Sequence, residues 1–173
     1  MRGMTHLYYG DGKGKTTAAV GLAVRAAGQG IQVIFAQFFK TAPSGELAML
    51  EKLGITVLRG DLPSGFTWTM NEQQLAALRK GHDELLQKAF SLAAANEKTL
   101  LVLDEVIDAY AGSFMDAETA LTLFQNRPDS IELVLTGHSA PESLVSLADY
   151  ITEMKAHRHP YELGISARKG IEF

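Results

Sequence analysis

The residues best suited to chemistry stand together near the amino end, in GDGKGKTT from Gly10 to Thr17. Gly10, Gly12 and Gly14 carry no side chain to hold a ligand away from the main chain, so backbone N–H groups there, with Asp11 and Lys13 between them, can close on phosphate oxygens. Lys15 adds a point charge. Thr16 offers a hydroxyl of the kind that ligates Mg²⁺, and Thr17 can cap the helix or touch a second phosphate. The usual phosphate loop has a glycine five positions before its Gly-Lys-Thr; here Tyr9 stands at that position, and Gly10 makes the loop one residue short. A shorter span gives a tighter loop and alters which phosphate meets the innermost amides. Lys13 reads equally as a phosphate contact or as a solvated side chain.

A metal bound at Thr16 calls for carboxylates at the end of another strand. LLVLDE supplies them, with Asp104 and Glu105 following the apolar run Leu100 to Leu103. Each half has a plain alternative: a glycine turn before a buried helix, and a strand ending in solvated acids. In this order and context the two together favour a nucleotide site with Thr16, Asp104 and Glu105 around Mg²⁺.

The elements that must position these residues are visible in the pattern. THLYY, IQVIFAQF, ITVLRG, TLLVLDE, IELVLTG and, more weakly, YITEMKA read as strands alternating with helices. Runs apolar on both faces suit a parallel sheet covered on both sides, and the alternation predicts right-handed crossovers. The expected fold is α/β, a mainly parallel sheet flanked by helices, organised as one domain over residues 1–173. A helix is predicted from Lys15 to about Ala27, apolar nearly all round and closed by Gly28 or Gly30. The longest runs from Asn71, as cap, to about Ala95. His82 lies on its apolar stripe and reads as a hydrogen-bonded core histidine without a catalytic role. KTAPSGE and RGDLPSGFTW read as loops at strand ends, where α/β chemistry sits.

Composition excludes several functions. Twenty acidic residues against 16 basic ones, a formal charge of -4, give no general attraction to nucleic acid. Cysteine is absent, which removes disulfides, thiolate metal sites and cysteine nucleophiles. No leader pattern opens the chain, and no apolar run approaches the roughly 18 residues of a membrane span. A soluble, cytoplasmic protein is expected.

The stretch GDGKGKTTAAVGLAVRAAGQG resembles the ATP:corrinoid adenosyltransferases of the CobA/CobO/BtuR type, whose loop is short by the same position. The resemblance continues through FFK, GE at Gly45-Glu46, GFTW at Gly65 to Trp68, LDE at Leu103 to Glu105, RP at Arg127-Pro128, LTG at Leu135 to Gly137, AD and TEM within Ala148 to Met154, and HPY followed by the terminal GIEF. Nearly the whole chain is covered. GFTW and the glycine-bearing terminus are the most restrictive of these features.

The resemblance implies an alkyl transfer: corrinoid cobalt, reduced to Co(I), attacks C5′ of ATP and expels triphosphate. In such enzymes ATP lies reversed in the loop, so the departing charge gathers against the amides, Lys15 and Mg²⁺. Co(I) carries no proton, so no general base is required. By the same match Thr16 and Glu105 ligate magnesium, with Asp104 joining them or bonding through a metal water. Phe66 and Trp68 match the aromatic pair that faces the corrinoid's lower side and excludes an axial ligand, leaving a four-coordinate Co(II) that is easier to reduce. Without the resemblance that pair would read as an anchor of the loop against the core. His159 is a further binding candidate, in a basic tail that either folds over a ligand or packs on the sheet edge. An electron-donating reductase or flavoprotein and a homodimer are implied as partners. Complete cobalamin and a precursor such as cob(I)yrinic acid a,c-diamide are both compatible acceptors.

The chain departs from the family pattern at several places. Thr69-Met70 replaces Glu-Thr, Thr41 to Ser44 lacks a glycine, Val106-Ile107 follows the acid pair, His138 stands where arginine is usual and Arg168 where glutamine is common. The chief rival is an ordinary phosphate-loop kinase or ATPase acting at the γ-phosphate, with Glu105 orienting water or a hydroxyl. A non-catalytic nucleotide or corrinoid carrier is the other. A thymidine-kinase-like enzyme is disfavoured by the missing zinc cysteines, and a DNA motor by charge and size.

Overall fold

The computed structural model describes residues 2–40 and 44–171. Residues 41–43, on which the missing glycine falls, and the last two residues of GIEF lie outside the described residues. All six strand-like runs form strands: β1 (Thr5–Tyr9), β2 (Gln32–Gln37), β3 (Thr56–Arg59), β4 (Thr99–Asp104), β5 (Ile131–Gly137) and β6 (Tyr150–Glu153). They make one sheet in the order β3-β2-β4-β5-β1-β6, every neighbouring pair parallel. Because the strands are parallel, all six carboxyl ends open at one edge, which is where such sheets bind ligands.

Alternation along the strands divides the core in two. Val33, Phe35, Leu100, Val102 and Val134 face α1 (Lys15–Gly28) and α2 (Leu47–Lys52). The intervening Ile34, Ala36, Leu101, Leu103, Leu133 and Leu135 face the other way. There they meet α3 (Glu72–Ala94), α4 (Val106–Ala111), α5 (Ala117–Gln125) and α6 (Glu142–Val145). Each fully buried Leu or Val contributes about 1.5–3 kcal/mol relative to exposure, so a slip of one residue in any inner strand is strongly resisted.

Helix α1 approaches the sheet through Ala19, Ala23 and Ala26, small residues at helical spacing, while Val24 is exposed. Gly30, not Gly28, closes it: the Gly30 N–H donates to Ala27 and the Ile31 N–H to Ala26, with Gly30 at φ 73. That is the paired bonding of a Schellman end. Asn71 caps α3 as expected, its side chain accepting from the Gln74 N–H while Gln74 returns the bond to the Asn71 N–H.

His82 is fully buried and doubly bonded. The Phe39 N–H can only donate, so Nε2 accepts it (3.3 Å) and the proton sits on Nδ1, which donates to the Phe114 carbonyl (2.9 Å). The charged ring would have two donors and lose the first bond. Burial pushes His82 below the usual histidine pKa, partly offset by the Phe114 bond. The unfolded chain therefore takes up a proton that the folded chain refuses as pH falls through about 6.5.

The edge strand β6 runs on past Glu153 beside the phosphate loop. Met154 donates its N–H to Tyr9 and accepts from the Gly12 N–H, both at 2.7 Å. A Cβ at Gly10 would lie 2.2 Å from the Met154 carbonyl oxygen, and one at Gly12 2.7 Å from it. Glycine is thus required at both positions by the neighbouring strand.

Two predictions follow from these contacts. Gly12→Ala forces Met154 away and lowers stability by about 1–3 kcal/mol, as overpacking does, whereas Gly21→Ala in the open face of α1 raises it by about 0.5–1 kcal/mol; urea midpoints decide both. For His82, full stability is retained above about pH 6.5 and declines below it, and His82→Gln, which keeps one donor and one acceptor, flattens that decline. Denaturation midpoints at pH 7.5 and 5.5 for both proteins measure the difference.

Candidate active site

The loop between β1 and α1 turns on two glycines in conformations hostile to other residues, Gly10 at φ 120 and Gly14 at φ 116. Its amides are partly committed to the protein: the Gly10 N–H donates to His138 (2.9 Å) and the Gly12 N–H to Met154. Asp11 turns away from the loop's interior, accepting the Ala156 N–H at 3.0 Å; that bond holds its carboxyl below the usual range. Lys13 and Thr17 are exposed. Lys15 folds back to donate to the Gly12 carbonyl at 2.7 Å. Burial lowers its pKa, opposed by the charges of Asp108, Asp11, Glu105 and Asp104, so this ammonium already sits in a field of four carboxylates.

Strand β5 lies between β1 and β4 and separates the loop from the acid pair by one strand. The gap is closed by side chains. Thr16 reaches from the first turn of α1 to donate to Asp104 Oδ1 at 2.8 Å, and Thr136 of β5 donates to the same oxygen at 2.8 Å while accepting the Glu105 N–H. On the other oxygen, Lys40 Nζ donates at 2.8 Å and Gln37 Nε2 at 3.4 Å. Asp104 is fully buried, and these contacts carry its charge. Gln37 also donates to Glu46, whose other oxygen accepts from Ser44.

Glu105 adopts φ 65 at the start of α4, which swings its carboxylate toward the loop side of Asp104. Lys40 Nζ lies 3.3 Å from Glu105 Oε1. Burial raises the Glu105 pKa and neighbouring Asp104 raises it further, against the lowering effect of Lys40. For Lys40, burial works downward, but Asp104 and Glu105 outweigh it and raise its pKa. Thr16, Asp104 and Glu105 are thus brought together. Lys40, Thr136 and Gln37 join them without having been singled out for a role in the sequence; the signal available was their place at the ends of strand-like runs, two of them inside FFK and LTG.

Oxygen donors of this kind suit a small hard cation. Among the described residues no three His, Asp or Glu side chains converge as a cage. Magnesium commonly uses one or two carboxylates and takes its other ligands from phosphates and water. Gln37 Oε1, buried and without a hydrogen-bond partner, is an acceptor that a metal-bound water would satisfy. The residue types therefore fit Mg²⁺, with Thr16, Asp104 and Glu105 as the oxygen donors available to it.

Phe66 and Trp68 stack face to face, centroids 4.5 Å apart at 11°, on a 3₁₀ turn at Thr67–Thr69. They are 64% and 78% exposed, so neither anchors the loop to the core. Since this segment follows β3, it leaves the same sheet edge as the phosphate loop. His138, in the arginine position, is exposed and paired with Asp108, Nδ1 to Oδ2 at 3.0 Å. An open cavity of about 600 Å³ borders the loop on the β6 side, lined by Tyr9, Asp11, His138, Lys155 and His157 among others. His159 is not in that lining; its Nδ1 accepts the Tyr161 N–H and caps a 3₁₀ turn in the tail.

Comparison with solved structures bears on the fold alone. A KaiC-like protein of Pyrococcus horikoshii superposes with a TM-score of 0.54 at 16% identity, over 89% of this chain and 73% of that one. The ATPase 2 and 3 region of EssC from Geobacillus thermodenitrificans gives 0.53 at 17% identity, over 98% of this chain and 36% of that one. The chain thus shares its fold with both of these proteins. Sequence comparison reaches further. The chain is 34% identical to the corrinoid adenosyltransferase of Escherichia coli K12, covering 99% of this chain and 86% of the relative. It is 34% identical to the corrinoid adenosyltransferase of Pseudomonas aeruginosa, covering 99% and 84%, and 32% identical to the corrinoid adenosyltransferase CobA of Salmonella typhimurium, covering 99% and 86%. The family profile described as ATP:corrinoid adenosyltransferase BtuR/CobO/CobP matches residues 1–173, and the chain belongs to that family.

Proposed function

We propose that this protein transfers the 5′-deoxyadenosyl group of ATP to the Co(I) of a corrinoid and releases triphosphate, in adenosylcobalamin biosynthesis or salvage. The observation that carries the reading is the exposed Phe66–Trp68 stack at the sheet edge that also bears the phosphate loop and the acid pair. Large aromatic faces left in solvent at the carboxyl edge of the sheet call for a broad apolar ligand, and a corrinoid macrocycle is one.

In the reaction the electron pair on Co(I) forms a bond to C5′ while the C5′–O5′ bond breaks. The leaving oxygen keeps that bond's electrons, and cobalt ends formally as Co(III). No proton moves at the reacting carbon. What the protein must supply is positive potential where the triphosphate's charge grows. Lys15 gives up the Gly12 carbonyl for a phosphate oxygen, and the amino end of α1 adds its dipole. With ATP reversed in the loop, the ribose faces the aromatic pair and the phosphates lie toward Lys15 and Thr16. Thr16 and Glu105, with Asp104 through a water, would hold Mg²⁺, which would supply further positive charge against the triphosphate. Phe66 and Trp68 offer no lone pair to cobalt and keep water from its lower face, which favours the four-coordinate Co(II) that a reductase or flavoprotein can reduce.

The whole chain acts as one unit in this reading, in the cytoplasm, and pairs as a homodimer. Exposed Tyr161, Leu163, Ile165 and Ile171 in the tail supply apolar surface for such pairing. No helix among the described residues is long and apolar enough to cross a membrane.

Anaerobic incubation with MgATP and chemically generated Co(I) corrinoid is expected to give a light-sensitive cobalt–carbon product and one triphosphate per adenosyl group. Orthophosphate at steady turnover without alkylated cobalt would instead establish the kinase or ATPase alternative. Trp68→Ala and Phe66→Ala are expected to separate the two halves of the reaction. With Co(II) corrinoid and a reductant the rate falls about 10- to 100-fold, a loss of roughly 1.4–2.7 kcal/mol. With Co(I) supplied directly most of the rate returns; equal losses in both assays would assign the pair to binding alone.

A further inference from the structure

Lys40 ends a piece of backbone built to aim it. The Phe38 N–H donates to the Asp104 carbonyl at 2.9 Å, which ties the end of β2 to the end of β4. The chain then turns on Phe39, a non-glycine residue at φ 59, with the Lys40 N–H closing onto the Phe38 carbonyl at 2.8 Å. Such a conformation is costly for a bulky residue and persists only where its surroundings fix it. Here His82 takes the Phe39 N–H, and the Phe39 ring packs edge-on against the His82 and Phe114 rings. The outcome is an ammonium 2.8 Å from Asp104 Oδ2 and 3.3 Å from Glu105 Oε1, between the two carboxylates assigned to the metal.

We propose that Lys40 is a tethered cation that competes with a divalent ion for Glu105 and for the water-linked place at Asp104, so that the acid pair admits metal only together with nucleotide. This rests on the metal reading given under Proposed function and adds to it an order of loading. Glu105 Oε1 cannot serve both cations, and a metal-bound water would compete with the ammonium for Asp104 Oδ2, so a divalent ion arriving alone must displace an ammonium that is already paired, partly desolvated and attached to a held turn. An ion arriving on ATP brings polyphosphate with it. Lys40 then has anionic oxygens to move to as it leaves the acid pair, and the exchange conserves charge pairing. The same movement puts a second lysine beside Lys15 at the phosphates. Lys40 is in this sense a gate for the metal, and the half-buried turn at Phe39 sets the distance over which the gate works.

The test is a titration of the intact protein with Mn²⁺, followed by the loss of the free-ion paramagnetic resonance signal, with and without ATP, in the wild type, Lys40→Met and Lys40→Arg. Without ATP the wild type binds Mn²⁺ weakly, and Lys40→Met, a neutral chain of similar length, binds it about tenfold more tightly or better, since the competing charge is gone. Lys40→Arg keeps a cation and stays near the wild type. Metal-free Lys40→Met melts below the wild type, two carboxylates having lost their partner, and Mn²⁺ alone restores it. If Lys40→Met does not fold, Lys40→Gln, which retains a donor for Asp104, carries the same comparison. Mn²⁺ affinity that is unchanged or weaker in the neutral variant overturns the proposal, and so does an equal gain with and without ATP, which would show no coupling of the metal to nucleotide. Either result in a protein whose wild type forms adenosyl-cobalt defeats this inference and leaves the functional reading intact; a wild type that forms none defeats the reading, whatever the titration gives.

Discussion

A carboxylate with no access to solvent has to be given its partners by the protein, and Asp104 is where that requirement is concentrated. Its side chain ends the most deeply buried strand, and Thr16, Thr136, Gln37 and Lys40 converge on it from three other elements or their ends. Each donor belongs to a segment with its own reason to be there. Thr16 opens α1, Thr136 ends β5, Gln37 ends β2, and Lys40 follows the strained Phe39 turn. Removing the acid would take an acceptor from four aligned donors at once, with only Gln37 and Lys40 keeping a second one in Glu46 and Glu105, a larger loss than any one of the bonds contributes. The carboxyl edge of the sheet is therefore held in register by the group that also faces the nucleotide site.

That arrangement follows from the strand order. With β5 between β1 and β4, the loop and the acid pair stand about two strand spacings apart, on the order of 10 Å at the backbone. This is close to what a threonine at the start of a helix and a carboxylate at the end of a strand can span with one hydrogen bond. Thr136, on the intervening strand, holds Asp104 and the left-handed Glu105 in their relative orientation. Gly137 after it lets α4 sit close, since a Cβ there would lie 2.5 Å from Ile107 Cβ. The nucleotide side of the site is in this respect a property of three adjacent strands more than of the loop.

Much of this is legible in the residues. Periodicity gives all six strands, and the run apolar on both faces at Leu100 to Leu103 marks a strand of a sheet covered on both sides. Loop and acid pair are readable because each is contiguous in sequence, and helix α3 because Asn71 and Gln74 form its cap locally. Lys40, Thr136 and Gln37 are harder to place, because their meeting depends on which strands are neighbours, and periodicity is silent on order. Gly10 and Gly12 show a subtler limit. Their residue type suggests close approach of a phosphate, while in the fold the approaching group is the Met154 carbonyl, 144 and 142 positions along from them (154 − 10 and 154 − 12). The same residue type answers both demands, so the pattern alone does not separate them. Phe66 and Trp68 illustrate the converse: an aromatic pair in a loop suggests anchoring, and exposure and stacking are visible only in the fold.

The shortened loop acquires a physical meaning from those bonds. Because the Gly10 and Gly12 amides are spent on His138 and Met154, the loop itself retains fewer donors than a longer one would for wrapping a phosphate. Positive potential comes instead from the start of α1, from Lys15 and from whatever cation sits at the acid pair, and these lie together on the side toward Asp104. An enzyme that cuts at the terminal phosphorus needs its donors spread along the β- and γ-phosphates, where bridging charge develops. One that displaces the entire triphosphate from carbon needs them gathered where a single large anion will come to rest, and needs the opposite side of the ligand open to a bulky nucleophile. On the adenosyl-transfer reading the ends of β5 and β6 serve that division: by occupying the Gly10 and Gly12 amides they leave charge on one side, while the segment after β3 sets the aromatic pair out toward the other.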